Sequence, residues 1–560
     1  MSVLIIGAGI NGIGVCRELA LHGIDVLLVD RGDFCAGASS ASSHMAHGGL
    51  RYLENGEFRL VREALTERNR LLRNAPHLVR PLPTVIPIFH WFSGFLNAPL
   101  KFLGIREKPG ERGAVVIKIG LTLYDFFTRK QRETPRHGFM SRQKSMEVYP
   151  LLASNILCTA SYYDGYIRNP EQLCIELILD SEALGENVQA LNYVSFVGGA
   201  QDRVQLRDEL TGEVFEVKPK LVINAAGPWI DLVNGRLSES THFIGGTKGS
   251  HLMIDQPELY RVLDGREFYY ENKDGRLCLI LPYEGKLMVG STDIRVDDPD
   301  QAVLTEQEID YMLNAVSVIF PQVKLSRSDI VYTFTGVRPL PPSEASTTGQ
   351  ISRDHSIRVI EPNDSITFPV YSLVGGKWTT FRAFAEQVAD RVLKHLQMPR
   401  RQSTYDLPIG GGRNYPRDAE AQQLWVNRVQ AQTRLPRERV EVLFRRYGTL
   451  AEDVAVFLAA GQDEMLVGAP TYSQREVAFL ATKEKVVHLD DMILRRTLFG
   501  ICGLVNAALM NELAPIVGAA LGWSDAQTAD EVERAVRILT QEHHVSQEKL
   551  IGFAPASTAK

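Results

Sequence analysis

Absences narrow this 560-residue chain first. Its six cysteines (Cys16, Cys35, Cys158, Cys174, Cys278 and Cys502) are scattered, with no C-x-x-C or C-x-C spacing. That argues against a structural zinc or an iron–sulfur cluster, and no metal site is expected; buried thiols in a reducing compartment are the better reading. No uninterrupted apolar run reaches about 18 residues, so nothing reads as spanning a bilayer. Positive charge is not in surplus: the net charge is -6 and no basic block stands out, which argues against a nucleic-acid partner. Local basic clusters at a site for an anionic substrate remain compatible with that balance. The first strand opens at Val3, leaving no room for a secretory leader, so a cytoplasmic location is expected. An apolar fraction of 44% and a charged fraction of 23% are ordinary for a globular protein.

The stretch from Val3 to Asp30 is organised as a dinucleotide-binding unit. Val3–Ile6 has the length and β-branching of a buried parallel strand. Gly7-Ala8-Gly9-Ile10-Asn11-Gly12 supplies G-x-G-x-x-G, and Val15, Leu19 and Ala20 continue it as a helix with an apolar face. After Gly23, a helix stop, Val26–Val29 makes a second strand ending in Asp30. Gly7 permits the tight turn, Gly9 lets a pyrophosphate approach, and Gly12 lets the helix lie close to the sheet. The helix N-terminus favours phosphate, and Asp30 can accept from both ribose hydroxyls. Strand, helix, strand and acid in order make an adenine dinucleotide site several times likelier than a chance match, without choosing between NAD and FAD.

Beyond Asp30 the chain is dense in small polar residues over 37–43, including Ser39 and Ser40, followed by His47-Gly48-Gly49-Leu50-Arg51-Tyr52-Leu53. Such a stretch can wrap a large ligand with N–H and hydroxyl donors. A helix over 57–74 follows, with Phe58, Val61, Leu65 and Leu72 on helical spacing.

GASSASSHMAHGGLRYLE followed by EFRLVREALTERNRLLRNAPHL closely resembles the FAD-dependent glycerol-3-phosphate dehydrogenases, within the D-amino-acid-oxidase-like flavoprotein superfamily. Further matches stand at 225–229, 248–251, 290–293, 336–340, Arg353 and 375–382, so the resemblance covers nearly the whole chain. It implies an α/β fold: a Rossmann-like FAD-binding domain (1–80, 145–240 and 369–398), an antiparallel β-sheet substrate or cap domain (81–144 and 241–368), a linker (399–415) and a C-terminal α-helical domain (416–560). Within the substrate domain, strands are expected at His251–Ile254, 277–281, 287–290, 330–334 and Ser356–Ile360. One continuous strand is expected over 188–197, and one helix over 490–499.

FAD is the implied cofactor, held by Gly7, Gly9, Gly12, Asp30, Ser39, Ser40, His47, Gly48, Gly49, Val194, Gly227, Gly376 and Thr379. Val194 matches the position that touches the adenine through its main chain. The implied reaction oxidises sn-glycerol 3-phosphate to dihydroxyacetone phosphate and delivers electrons to a membrane quinone. Arginine donates in parallel to phosphate and lysine acts as a point charge. The matched motifs place Arg51, Arg338, Arg353 and Lys377 about the substrate, with Tyr52 lining the pocket. Cations from distant parts of the chain would repel one another unless an anion were bound. His251 is the expected base, since imidazole titrates near neutrality, with Arg338 or Lys377 holding it neutral. The catalytic set is therefore His251, Arg338 and Lys377.

Residues 90–104 are apolar and aromatic, too short to span a bilayer, and followed by Arg106 and Lys108. Aromatic residues beside basic ones suit a membrane interface. A buried loop of the substrate domain is equally compatible, and the resemblance tilts the balance towards peripheral contact with the inner face of the cell membrane. A homodimer is the assembly considered. The chain departs from the family pattern at Ala38, at His44-Met45-Ala46, and at Trp378 and Phe381; Trp378, next to Lys377, would narrow the pocket. The competing readings are an oxygen-using glycerol-3-phosphate oxidase, a dehydrogenase of another polyol phosphate, an amine or amino-acid oxidase, and a non-enzymatic flavin-binding scaffold. Arg445-Arg446 and Arg495-Arg496 read as solvated or interdomain charges.

Overall fold

The chain is represented by a computed structural model that describes residues 1–53, 57–93, 113–129, 131–343, 351 and 353–550. Its first sheet runs Ser356–Ile360, Val370–Val374, Leu221–Asn224, Val3–Ile6, Val26–Val29, Val188–Leu191 in spatial order. The last five are parallel and buried on both faces over most of their length, as expected of continuous Val/Ile/Leu runs. Helices Ile10–Ala20, Pro170–Glu182 and Phe381–His395 cover one face, where Val15, Leu19, Leu173, Leu177, Phe384 and Val388 share a core. A three-stranded antiparallel layer (Val194–Ala200, Arg203–Asp208, Val214–Val217) covers the other through Val194, Phe196, Val204 and Leu206. The strand expected over 188–197 is therefore two, broken at 192–193, because its halves belong to different sheets.

The second sheet has ten strands. Next to one edge, Thr247–Ile254 pairs with Lys286–Gly290 on one side and with the edge strand Ile330–Arg338 on the other. Leu277–Tyr283, Glu267–Glu271, Val79–Ile88 and Cys158–Ile167 extend it. Two boundaries need correction. Ser356–Ile360, expected in this sheet, instead closes the edge of the first, antiparallel to Val370–Val374. Cys158–Ile167, expected with the flavin segments, pairs along ten residues with Val79–Ile88 in the second. A period-two strand pattern reports one buried face and not which sheet supplies it.

One face of the ten-stranded sheet packs on helix Glu306–Ile319 through Leu252, Ile254, Ile280 and Val289. The other face lies against the helical domain, where Met253, Leu281 and Met288 meet Val440, Phe444 and Ile493. That domain contains Ala419–Thr433, Arg437–Tyr447, Ala451–Ala459, Gln474–Lys483, Ala507–Leu521 and Asp525–Gln541. The helix expected over 490–499 is one short turn, Leu489–Asp491, followed by the wider π-turn Met492–Arg496.

Residues 399–415 are not a loose linker. Thr404 and Arg400 bond Glu18, and the Gly410–Gly412 turn is buried, its Gly410 and Gly411 N–H groups donating to Asp180 and Glu176. A Cβ on Gly411 would sit 1.9 Å from the Tyr447 carbonyl oxygen, so the triple glycine serves close approach rather than flexibility. Among the described residues no helix is long and apolar enough to cross a membrane, and no group of His, Cys, Asp and Glu is arranged to hold a metal.

Candidate active site

The strand–turn–helix at the N-terminus has the shape a dinucleotide requires. Gly7 has φ +103°, and a Cβ there would meet the Ala225 carbonyl oxygen at 2.6 Å. A Cβ on Gly12 would meet the Gly7 carbonyl at 2.0 Å, and one on Gly9 the Ser39 hydroxyl at 3.2 Å. Ser39 Oγ accepts from the Ile10 N–H at the helix start (3.0 Å), which leaves its proton free for a phosphate oxygen. Asp30 accepts from the Ala8 and Gly32 N–H groups (2.7 and 3.1 Å), one on each oxygen. Each oxygen keeps a further lone pair for a ribose hydroxyl. Burial raises the Asp30 acid to about 6 despite those two donors.

The other cofactor candidates divide by what their polar groups already do. Ser40 donates to Gly37 O within its own turn, so it offers a ligand only acceptor capacity. The Val194 N–H donates to Asp30 O (2.7 Å), which ties the adenine edge to the ribose acid and removes that N–H as a cofactor donor. The Gly48 N–H donates to Tyr124 OH and Asp164 Oδ1, inside a buried network completed by Arg68, so it too is unavailable. Gly49, at φ +74°, lies under the Tyr52 ring, which a Cβ would strike at 2.1 Å. Thr379 Oγ1 accepts from the His47 N–H and donates to the His47 carbonyl, locking the 45–53 loop onto the Trp378–Thr380 turn. Gly376 (φ +94°) presses on Asn11, whose side-chain amide donates to Gly375 O, so the two glycine turns are tied together. Above Gly227, at φ +60°, no heavy atom lies within 4 Å of a Cβ position.

Beside this cradle three of the expected cations converge. Arg338 lies flat over Gly249, where a Cβ would meet its guanidinium at 2.0 Å. It donates to Asp293 Oδ1 (3.1 Å), Ser291 Oγ and Thr292 O (both 3.3 Å). The second oxygen of Asp293 accepts from Arg353 at 3.5 Å. Burial and then Arg353 pull Arg338 down to about 10. Lys377 points its Nζ over the Tyr52 ring at 4.3 Å. That nitrogen is buried without a hydrogen-bond partner among the described residues, and burial, with the Arg353 charge adding to it, lowers its pKa. Asp293 thus stands between the two guanidiniums, while Glu57 and Glu63 act on Lys377 through their charge alone. The Arg51 side chain lies outside the described residues.

His251 is 1% exposed, on the same face of its strand as Gly249 and stacked on Phe334 with ring centroids 4.8 Å apart. Nε2 lies 2.8 Å from Ser43 Oγ, and Nδ1 has no partner among the described residues. Burial, reinforced by Arg338, lowers it to about 3, so the ring is neutral at physiological pH. When Nε2–H donates to Ser43, Nδ1 carries the lone pair a base needs. The intervening Lys248 and Ser250 turn to the opposite face and bond Glu308. His47 is held neutral, near about 3, by burial beside Lys377 and Arg353.

One expectation changes, and one departure from the family pattern finds its place. Trp378 does not narrow the cation pocket: it is buried and its indole N–H donates to Ser39 O (2.8 Å), bracing the phosphate loop. Phe381 packs on the first helix at Gly14. Asp293, Ser43, Asn11, Tyr124 and Asp164 were not singled out from sequence. Asp293 ended a matched motif, and that position was the one available signal for it.

Residues 2–391 match the family model described as FAD dependent oxidoreductase, and 402–528 match the C-terminal domain of alpha-glycerophosphate oxidase. A glycerol-3-phosphate dehydrogenase of Synechocystis sp. (strain ATCC 27184 / PCC 6803 / Kazusa) is 32% identical, covering 95% of this chain and 95% of its own. The D-erythritol 1-phosphate dehydrogenase of Brucella abortus (strain 2308) is 31% identical, covering 88% and 93%. Among solved structures, the glycerol-3-phosphate dehydrogenase from Bacillus halodurans complexed with FAD shares the fold, with a TM-score of 0.72 at 23% identity over 96% of this chain and 95% of that one.

Proposed function

Since this chain belongs to the family of FAD-dependent glycerol-3-phosphate dehydrogenases and oxidases, we propose that it oxidises sn-glycerol 3-phosphate to dihydroxyacetone phosphate and delivers the electrons to a quinone. The observation that carries the substrate reading is the Lys377 ammonium, buried without a hydrogen-bond partner among the described residues beside two arginines that share one carboxylate. Leaving a charged nitrogen so placed is unfavourable unless an anion completes it, and a phosphate dianion supplies both charge and acceptors. An amino-acid carboxylate would need fewer cations, which weighs against the amine oxidase reading.

Gly7, Gly9, Gly12, Ser39 and Asp30 would hold FAD, which would supply the acceptor for the hydride of the carbinol carbon. Lys377, Arg353 and Arg338 hold the phosphate and so fix that carbon's position. His251 accepts the hydroxyl proton at Nδ1. Burial, reinforced by the Arg338 charge, keeps that imidazole neutral, and Arg338 steadies the negative charge that develops on the oxygen.

A membrane-bound acceptor fits the surface beside helix Ala114–Thr128. Phe92 is 71% exposed, Trp91 54%, Phe126 53% and Ile119 52%, an unusual density of large apolar groups in water. Phe95, Arg106 and Lys108, named with them from sequence, lie outside the described residues. A cavity of about 480 Å³ is bounded by Phe58, Phe127, Arg59, Arg62 and Glu63, whose carboxylate acts on the Lys377 charge. The Brucella relative makes erythritol 1-phosphate the specific alternative substrate.

Anaerobic mixing separates these readings. Glycerol 3-phosphate should bleach the bound flavin faster than erythritol phosphate, and unphosphorylated glycerol should leave it oxidised. Fast reduction by glycerol itself would sink the phosphate argument. Reoxidation of the bleached enzyme by a quinone analogue should outpace that by oxygen, and the reverse order would make it an oxidase.

A further inference from the structure

The turn after Asp30 carries a second carboxylate, Asp33, that is 1% exposed and faces away from the ribose position into the helical domain. Its oxygens accept from Arg496 Nη1 and Nη2 (2.7 and 2.8 Å), from Arg495 Nε, and from Asn192 Nδ2 (3.0 Å). Arg496 is 2% exposed, and its Nε donates to Glu484 O (2.7 Å). Arg495 is fixed in turn by Asp491 (2.6 Å) and Asp490 (3.2 Å), and Asp491 accepts from the Tyr193 hydroxyl (2.6 Å). Burial alone would raise the Asp33 acid; the two guanidiniums outweigh it and hold the carboxyl well below the usual carboxylate range.

These partners join two chain segments that border the adenosine end of the dinucleotide site. Main-chain bonds already zip them together: Asp30 N to Leu191 O, Tyr193 N to Gly32 O, and Val194 N to Asp30 O. The helical domain then grips both, with Arg495 and Arg496 on Asp33, Lys485 O on the Asn192 amide, and Lys485 Nζ on Ala190 O. The ribose acid and the adenine strand therefore hold their spacing through residues about 460 positions later in sequence.

We propose that the C-terminal helical domain sets the affinity for the adenosine half of FAD, with Arg495 and Arg496 acting through Asp33 as positioning residues for the cofactor. This rests on FAD being the cofactor and not on the identity of the substrate or acceptor.

The test is the dissociation constant for FAD of the full-length apoprotein, read by flavin fluorescence, with ADP as a competitor that carries only the adenosine end. Asp33→Asn and Arg496→Met should each weaken FAD by about tenfold or more, the scale at which packed elements couple. ADP should lose affinity by a similar factor. Arg439→Met is the control: it removes a similarly buried guanidinium that bonds Glu476 and Ser473 wholly inside the helical domain, and FAD binding should not change. FAD affinity within twofold of the unmodified protein in both Asp33→Asn and Arg496→Met would overturn the proposal. So would an equal weakening by Arg439→Met, which would mean general loosening. If Arg496→Met does not fold, Arg496→Lys replaces it: loss of the two-pronged grip should still weaken FAD, and an unchanged constant counts against the idea.

Discussion

At the residue scale the pocket rests on charge that a ligand must complete. Lys377→Ala or Arg338→Ala should keep the flavin but lower turnover by at least about 100-fold, as when a positioned charge is removed from a reacting centre. Steady-state rates on flavin-replete variants decide it, and near-normal rates in both would show that the phosphate sits elsewhere. Asp30 gives a pH signature. Its carboxyl is at about 6 before a ribose docks, and ribose hydroxyls donate to the ionised form. FAD binding therefore releases a proton below that pH: affinity should be flat above about 6 and fall by up to about tenfold per unit beneath it. Asp30→Asn should flatten the profile, and a wild-type profile already flat from pH 5 to 8 would contradict the assignment. Sequence motifs located His251, Arg338, Arg353 and Lys377, because each sits in a patterned stretch. They did not locate Asp293 or Ser43 as partners, since which carboxylate or hydroxyl meets a cation is settled only when strands from different parts of the chain align.

At the element scale, turns matter more than the helices and strands they join. Gly7→Ala would need φ +103° and a methyl 2.6 Å from a carbonyl oxygen, so the variant should fold poorly or purify without colour. Absorbance near the flavin bands against total protein measures this. The loop 45–53 depends on a buried knot. Tyr124→Phe removes the hydroxyl that donates to Asp164 and accepts from Gly48, which should destabilise the protein by about 1–3 kcal/mol in thermal or urea unfolding. An unchanged midpoint would mean that water or Arg68 takes over. Element positions were legible wherever an apolar run matched the period of a strand or helix, as in Val3–Ile6 and Phe58–Asn74. They were least legible at edges and links. Ser356–Ile360 has the alternation of a roof strand yet pairs elsewhere, and 399–415, rich in glycine and proline, reads as loose while being packed down. Glycine permits both freedom and close approach, and sequence alone does not separate them.

At the scale of the whole molecule, motif order revealed the layered architecture, while the contacts between layers were hidden. Arg495 and Arg496 read from sequence as solvated or interdomain charges, and they prove to be interdomain, buried against a turn near the N-terminus. The ten-stranded sheet carries the pocket residues Gly249 and His251 on the same broad face that presents Met253, Leu281 and Met288 to the helical domain. Each of those three side chains is fully buried there, worth roughly 1.5–3 kcal/mol apiece. A chain ending at residue 398 should therefore be insoluble or lack cooperative unfolding, which expression and calorimetry would reveal; a soluble, yellow, sharply melting fragment would refute this. Chemistry and scaffold thus lean on a single party wall. Relatives can vary the loops at its rim freely, but the bundle cannot be exchanged like a detachable module, because any new neighbour would have to fit the very face of the sheet on which the pocket residues stand.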